Sequence, residues 1–243
     1  LVAVMNPINA LQFFVDAKTG AKSIQDIKDK KIPLRITVNR QGTLIDVATE
    51  ELLKTYGITY SDIAKWGGKV HKIPGPEATD LWDAGQMDAI VEVSQFPTSR
   101  FYELGQKHDL IMLPIDPANQ EKLNKELGTS SLTIPAGTYS FQKEDCPTVS
   151  SQLLLITSAD QPDEVITGVL KAMTANIDYL HSVHANLRDL SPETMSANTC
   201  IPQRKSSSAN SRSNCRILPG GLHRPPCAGI FPAGLDSSLK NGP

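Results

Sequence analysis

The chain has 243 residues, which is enough for one large domain or two small ones. Its hydrophobic fraction of 40% and charged fraction of 21% are typical of a globular protein. The formal net charge of −2 gives no indication of nucleic-acid binding, and no apolar run is long enough to span a bilayer. We therefore predict neither a nucleic-acid partner nor a membrane-spanning segment.

The two ends of the chain differ from its body. The first residue is Leu1 rather than Met and no signal peptide is recognisable, so we expect that an N-terminal segment has been lost. Residues 200–243 hold six basic side chains, the single acid Asp236 and many Ser, Pro and Gly residues. Such a composition predicts a disordered tail, either natural or non-native.

The four cysteines do not form a metal-binding pattern. None has C-x-x-C spacing, so a zinc site is not predicted. Three of them, Cys200, Cys215 and Cys227, lie in the tail. The body holds only Cys146, which cannot form a disulfide within the body and is expected to be a small buried or loop residue.

Strands and helices alternate along the body, which predicts an α/β fold with a largely parallel, doubly wound sheet. Short apolar runs between turn signals predict strands at 1–5, 10–15, 34–38, 70–73, 89–93, 110–115, 131–139 and 148–157. Helical periodicity and capping signals predict helices at 23–30, 44–56, 78–84, 96–104, 119–127 and 162–184.

Apolar residues at helical spacing predict the buried side of two helices. The first stripe is Leu44, Val47, Ala48 and Leu52, and the second is Val165, Val169, Met173, Ile177 and Leu180. Trp66 and Trp82 are interpreted as packing residues, and Asp88 as a residue that fixes the turn before a strand.

Two predicted strands end in polar turns that lead into helices. The carboxyl ends of strands in an open α/β sheet are where small ligands bind, and a helix start offers free amides and a partial positive charge to an anion. The candidate ligand-binding residues in these turns are Arg40, Gln41, Gly42, Thr43, Ser94 and Gln95. Gly42 allows close approach of a ligand, Thr43 offers a hydroxyl that also caps a helix, and Arg40 offers a bidentate partner for a carboxylate.

Catalytic and metal-binding motifs are not found in the sequence. No G-x-S-x-G, H-E-x-x-H or P-loop pattern occurs, and His181 and His184 are interpreted as a solvated helix end rather than metal ligands. We therefore predict no enzyme activity, no catalytic residue, no cofactor and no metal. From spacing alone, a small-anion receptor and an enzyme with the same geometry remain alternatives, and a ligand-sensing regulatory domain is a third.

Five segments together resemble the TAXI group of TRAP-transporter solute receptors. They are G-x-x-S-x-x-D-I-K-x-K at 20–30, Gly42-Thr43, Y-G-I-T at 56–59, D-A-G-Q-M-D-A at 83–89 and T-I-P-A-G-T-Y at 133–139. The resemblance covers about residues 1–199. It implies a periplasmic binding protein of the type II fold, which closes two lobes around a small carboxylate and then engages the membrane subunits of the transporter.

The resemblance also implies a domain arrangement and two further site residues. Residues 1–32 are expected to be part of an N-terminal lobe with its hinge strands, 33–140 a complete lobe, 141–199 the return to the first lobe, and 200–243 the tail. Thr138 and Tyr139 are expected to line the hinge or cleft. Relative to the family, the first half of the N-terminal lobe is missing, and that half normally supplies one wall of the cleft.

Overall fold

The structure is a computed structural model, and it describes residues 2–158, 160–183 and 187–196. Within these ranges seven strands form one sheet. The strands are β1 (Ala3–Asp16), β2 (Arg35–Thr37), β3 (Lys69–His71), β4 (Ala89–Ser94), β5 (Leu110–Met112), β6 (Ser130–Ile134) and β7 (Cys146–Leu155). The helices are α1 (Ile24–Asp29), α2 (Leu44–Thr55), α3 (Tyr60–Lys65), α4 (Gly75–Asp83), α5 (Ser99–Lys107), α6 (Pro117–Leu127), α7 (Asp163–Ala175), α8 (Ile177–Val183) and α9 (Pro192–Ser196). The predicted tail, with its three cysteines, lies outside the described residues.

The sheet has the order β3-β2-β4-β1-β7-β6, and β5 also pairs with β1. Strands β3, β2 and β4 are parallel, whereas β1 is antiparallel to β4, β5 and β7. The α/β class is confirmed, but the expectation of a largely parallel sheet is wrong. The reason is the long strand β1, which runs through the middle of the sheet against its neighbours.

Strand β1 was predicted as two strands separated by Asn6-Pro7, and that prediction is wrong. The structure has one strand of 14 residues, whose pairing with β7 is irregular between Val4 and Asn9. Proline has no amide hydrogen to donate to a neighbouring strand, so the chain accommodates Pro7 with a local irregularity rather than a break.

Helices cover both faces of the sheet, as expected for a doubly wound unit. Along β1, Leu11, Phe13 and Val15 belong to a core with α1, α2, α3 and α6, which we call the α2 face. Ala10 and Phe14 belong to a core with α4 and α5, which we call the α5 face. Because side chains of a strand alternate between faces, β1 is buried on both sides, and each fully buried Phe contributes about 1.5–3 kcal/mol.

The two tryptophans occupy these cores. Trp82 is fully buried in the core of the α5 face, and Trp66 is half-buried against the core of the α2 face. Their interpretation as packing residues is confirmed. A third, smaller core joins the start of β1 to α7 and α9 through Val2, Leu170 and Met195.

The buried side of α2 differs from the predicted stripe. Leu44 is 55% exposed and Val47 is 43% exposed, whereas Ile45, Ala48 and Leu52 are buried. The face of α2 that is buried also carries the polar residues Asp46 and Thr49. The apolar pattern of the sequence therefore favoured a stripe rotated by about one residue from the buried one.

The predicted helix 162–184 is two helices. α7 ends at Ala175, Asn176 caps it, and α8 follows directly. Val165 and Val169 are exposed, so the first half of the predicted stripe is wrong, whereas Met173, Ile177 and Leu180 pack against the third core.

Three helix ends follow the predicted glycine stops. Gly57, Gly85 and Gly128 follow α2, α4 and α6 with φ of 68°, 70° and 69°. The start of α5 is shifted from residue 96 to Ser99, since Pro97 disfavours helical geometry at the residue before it. Helix α3 was not predicted, although Thr59 and Asp62 form a capping box at its start. No helix in the described part of the chain is long and apolar enough to cross a membrane.

Candidate functional site

After two neighbouring parallel strands, the chain turns to opposite faces of the sheet. β2 and β4 are paired, with Ile36 opposite Ala89 and Thr37 opposite Ile90. The helix after β2 is α2, on one face of the sheet, and the helix after β4 is α5, on the other. Such a point of reversal opens a crevice at the carboxyl ends of the strands, where α/β proteins bind ligands. The two predicted turns therefore begin at the same edge of the sheet.

The first turn, Arg40 to Thr43, is organised around the start of α2. Thr43 is the N-cap: its hydroxyl donates to the carbonyl of Arg40 at 2.7 Å and accepts from the amide of Asp46 at 3.4 Å. Gly42 has φ of 75°, a conformation that favours glycine. The side chains of Arg40 and Gln41 are exposed.

A carboxylate of the protein already occupies part of this helix start. Asp46 Oδ2 accepts from the Gly42 amide at 2.9 Å and from Lys72 Nζ at 3.0 Å, and the Tyr60 hydroxyl lies 3.2 Å from Oδ1. Burial raises the pKa of the Asp46 carboxyl, but the Gly42 amide and the Lys72 ammonium outweigh it, so the pKa lies below its ordinary value.

Asp46 changes which amides a ligand can use. The Gly42 amide is engaged, and the amides left at this helix start are those of Leu44 and Ile45, the first two helical residues. Sequence analysis missed Asp46, although an acid three residues after a Thr N-cap is the known capping signal.

The second turn begins with Ser94 at the end of β4. Its hydroxyl accepts from Gln12 Nε2 at 3.2 Å and lies 3.3 Å from the hydroxyl of Thr98. The carbonyl of Gln95 accepts from the same Thr98 hydroxyl at 2.9 Å. The turn is thus held by a chain of polar contacts that starts in β1.

Tyr139 completes this chain of contacts from the far side. Its side chain is fully buried, and its hydroxyl donates to Gln12 Oε1 at 2.6 Å and accepts from the Thr98 amide at 3.1 Å. Burial raises the pKa of Tyr139. The neighbouring Thr138 donates to the carbonyl of Pro135 at 2.7 Å. The structure brings Tyr139 and Ser94 together through Gln12, the one polar side chain in an apolar stretch of β1 that sequence analysis passed over.

Two charged residues that were not predicted lie beside the second turn. Glu92 of β4 forms an ion pair with Arg100 of α5. A cavity of about 330 Å³ lies at the first turn of α5, and its lining includes Thr98, Ser99 and Tyr102. That lining includes neither Gly42 nor Thr43.

The remaining candidates have structural contacts. Asp88 accepts from Arg35 Nε at 2.7 Å and Nη2 at 2.6 Å, so it ties the start of β2 to the start of β4 rather than fixing only a turn. His181 Nε2 lies 2.7 Å from the carbonyl oxygen of Leu190, and His184 lies outside the described residues. In the ranges that the structure describes, no group of three or more His, Cys, Asp and Glu side chains could hold a metal ion.

Comparisons with known proteins found similar solved structures and a family match. The periplasmic aliphatic sulphonate binding protein SsuA from Escherichia coli is similar at 13% identity and a TM-score of 0.37, over 76% of this chain and 50% of that one. The alkanesulfonate-binding protein SsuA from Xanthomonas axonopodis pv. citri, bound to MOPS, is similar at 12% identity and a TM-score of 0.34, over 79% of this chain and 71% of that one. The chain thus spans about half the length of the E. coli protein. The model of the NMT1-like family matches residues 1–206. Because this match takes in most of the sequence, the chain belongs to the NMT1-like family.

Proposed function

We propose that this chain is the ligand-binding part of a periplasmic solute-binding protein that captures a small carboxylate, such as an amino acid or a dicarboxylate. The observation that carries the proposal is the reversal between β2 and β4, which places two polar turns and two helix starts at one edge of the sheet. The resemblance to TAXI receptors extends the proposal to the membrane subunits of a TRAP transporter as partners.

In the proposed mechanism, residues 33–140 form one lobe and residues 1–32 and 141–199 lead to the other. The ligand is contacted by the Thr43 and Ser94 hydroxyls and by the amides of Leu44 and Ile45, with Arg40, Gln41 and Gln95 at the rim. Closure of the second lobe adds contacts that exist only in the closed state, because a ligand that contacts both states equally shifts neither.

Binding rather than catalysis is supported by the partners of the hydroxyls. In the described residues, the hydroxyls of Thr43, Ser94 and Thr98 contact carbonyls, amides and each other, and none contacts a His, Asp or Glu side chain. A nucleophilic hydroxyl needs an adjacent base. These hydroxyls have the environment of hydrogen-bonding groups that position a ligand.

The test is isothermal titration calorimetry of the purified chain with each of four compounds: L-glutamate, succinate, 2-oxoglutarate and ethanesulfonate. We expect saturable binding of at least one carboxylate, weakened in a Ser94→Ala variant and unchanged in a control variant, Ser182→Ala, at an exposed residue of α8. Saturable binding of ethanesulfonate alone would overturn the carboxylate preference but retain the receptor. If none of the four compounds binds, the proposed receptor function of this chain is wrong.

A further inference from the structure

The Arg100 side chain lies at the carboxyl-terminal edge of the sheet. Its guanidinium pairs with Glu92, and the side chains of Arg100 and Glu92 are only 23% and 14% exposed. The guanidinium carbon lies 4.7 Å from the centre of the Phe101 ring, a cation–π contact that further fixes the group. Arg100 is therefore a held cation rather than a mobile surface charge.

Among the described residues, few groups use the hydrogen-bonding capacity of this cation. A guanidinium has five N–H donors, and Nη2 donates to Glu92. The Nε atom is buried and has no hydrogen-bond partner among the described residues. Native structures rarely leave a buried donor unpaired, so the Nε–H group distinguishes Arg100 as a candidate donor to a bound acceptor.

The start of α4 leaves room for the group. A Cβ on Gly75 would lie 1.5 Å from Arg100 Nη1, so only glycine is compatible with the observed position of the guanidinium. Gly75 follows β3 and Glu92 belongs to β4. The guanidinium of Arg100 is thus held on the α5 face of the sheet, between the start of α4 and strand β4.

We propose that Arg100 is the group that binds the acid group of the ligand, a carboxylate or a sulfonate, and that Glu92 is its resident counterion. This inference rests on the proposed function and names the anion-binding residue of that site. A guanidinium suits a carboxylate or sulfonate because its planar donors match two oxygens at once. Glu92 holds the guanidinium in place and also repels an incoming anion. The ion pair therefore fixes the position of the guanidinium and lowers its affinity for the anion.

The experiment uses the full chain labelled with ¹⁵N and two small probes, acetate and methanesulfonate, each titrated at constant ionic strength with chloride. The signal is the Nε–H resonance of Arg100, assigned by its absence in an Arg100→Gln, Glu92→Gln double variant. We expect this resonance to shift with saturation in the native chain. The Glu92→Gln variant should saturate at about tenfold lower concentration, since one repelling charge is removed. The double variant should not bind, and Glu126→Gln, at an exposed residue of α6 on the other face of the sheet, should behave as the native chain.

A second pair of variants tests the position of the guanidinium. Gly75→Ala displaces the flexible end of Arg100 and should weaken probe binding severalfold, whereas Gly168→Ala, with open space around its Cβ, should not. If acetate and methanesulfonate leave the Arg100 Nε–H resonance unmoved in both the native chain and Glu92→Gln, the inference is wrong. If the amide resonances of Leu44 and Ile45 shift while Arg100 does not, the inference is wrong and the proposed receptor function stands. If Arg100 responds but none of the larger carboxylates binds, the anion site stands and the proposed receptor function fails.

Discussion

The carboxylate of Asp46 accepts a hydrogen bond from the backbone amide of Gly42, with 2.9 Å between Oδ2 and N. This contact folds the first turn back onto the start of α2, where the partial positive charge of the helix favours a negative group. The turn that sequence analysis assigned to a bound anion therefore already contains one. A ligand at this turn must use the neighbouring amides or share the helix start with Asp46.

Replacing Asp46 with Asn is expected to lower the free energy of unfolding by about 1–2 kcal/mol at neutral pH, because a charge-assisted bond to Gly42 and the pairing with Lys72 are weakened. We expect no larger loss, because the Lys72 side chain is 35% exposed and solvent screens its charge. Urea unfolding followed by circular dichroism measures the difference. Asp80→Asn, an exposed site on α4, is the matched control and should change stability by less than about 0.5 kcal/mol.

The same substitution predicts a change in pH dependence. The pKa of Asp46 lies below its ordinary value of 3.8 in the folded state. Its contribution to stability is therefore complete above that ordinary value and is lost as the pH falls through the lower folded-state pKa. The difference between the native chain and Asp46→Asn should shrink in that acidic window. A difference that stays constant down to the acid limit would show that the carboxylate charge contributes nothing.

Replacing Thr43 with Val is expected to cost about 1 kcal/mol of unfolding free energy, since the helix loses its N-cap. It should also weaken binding of a carboxylate ligand severalfold if the proposed function holds, because the proposed binding site then loses one hydroxyl. Thr43→Ser keeps the hydroxyl and should restore both quantities. Calorimetry that finds the stability lowered but the affinity unchanged would mean that Thr43 only caps α2.

The elements of the fold could be predicted where residues close in sequence determine them. Turn signals and short apolar runs located the strands in the described ranges, although they divided β1 in two, and Gly57, Gly85 and Gly128 marked the ends of three helices. The direction of β1 could not be predicted, because antiparallel pairing with β4, β5 and β7 depends on contacts distant in sequence.

The candidate site could be predicted in part. Spacing identified the turns at Thr43 and Ser94, since the ends of strands and starts of helices leave local signals. Gln12, Glu92 and Arg100 were missed because each acts through partners on another element, such as the bond between Gln12 and Tyr139, which are 127 residues apart in sequence.

Cys146 is expected to be nearly inert in the native protein. Its side chain is buried, and burial raises the pKa of its thiol to about 12, so the reactive thiolate is scarce at mildly alkaline pH. Alkylation by iodoacetamide, followed by peptide mass spectrometry, should be about a hundredfold or more slower in the native chain than in urea. Comparable rates in the two conditions would contradict the burial of this residue.

Replacing Tyr139 with Phe is expected to lower the free energy of unfolding by about 1–3 kcal/mol, because Gln12 Oε1 and the Thr98 amide both lose a buried partner. Tyr102→Phe is the matched control: Tyr102 is 50% exposed, and its substitution should change stability by less than about 0.5 kcal/mol. The loss at Tyr139 should couple to Ser94, since Gln12 also donates to the Ser94 hydroxyl. A double-mutant cycle of Tyr139→Phe with Ser94→Ala should therefore show non-additive effects of at least about 0.5 kcal/mol, whereas additive effects would mean that Gln12 holds its two partners independently.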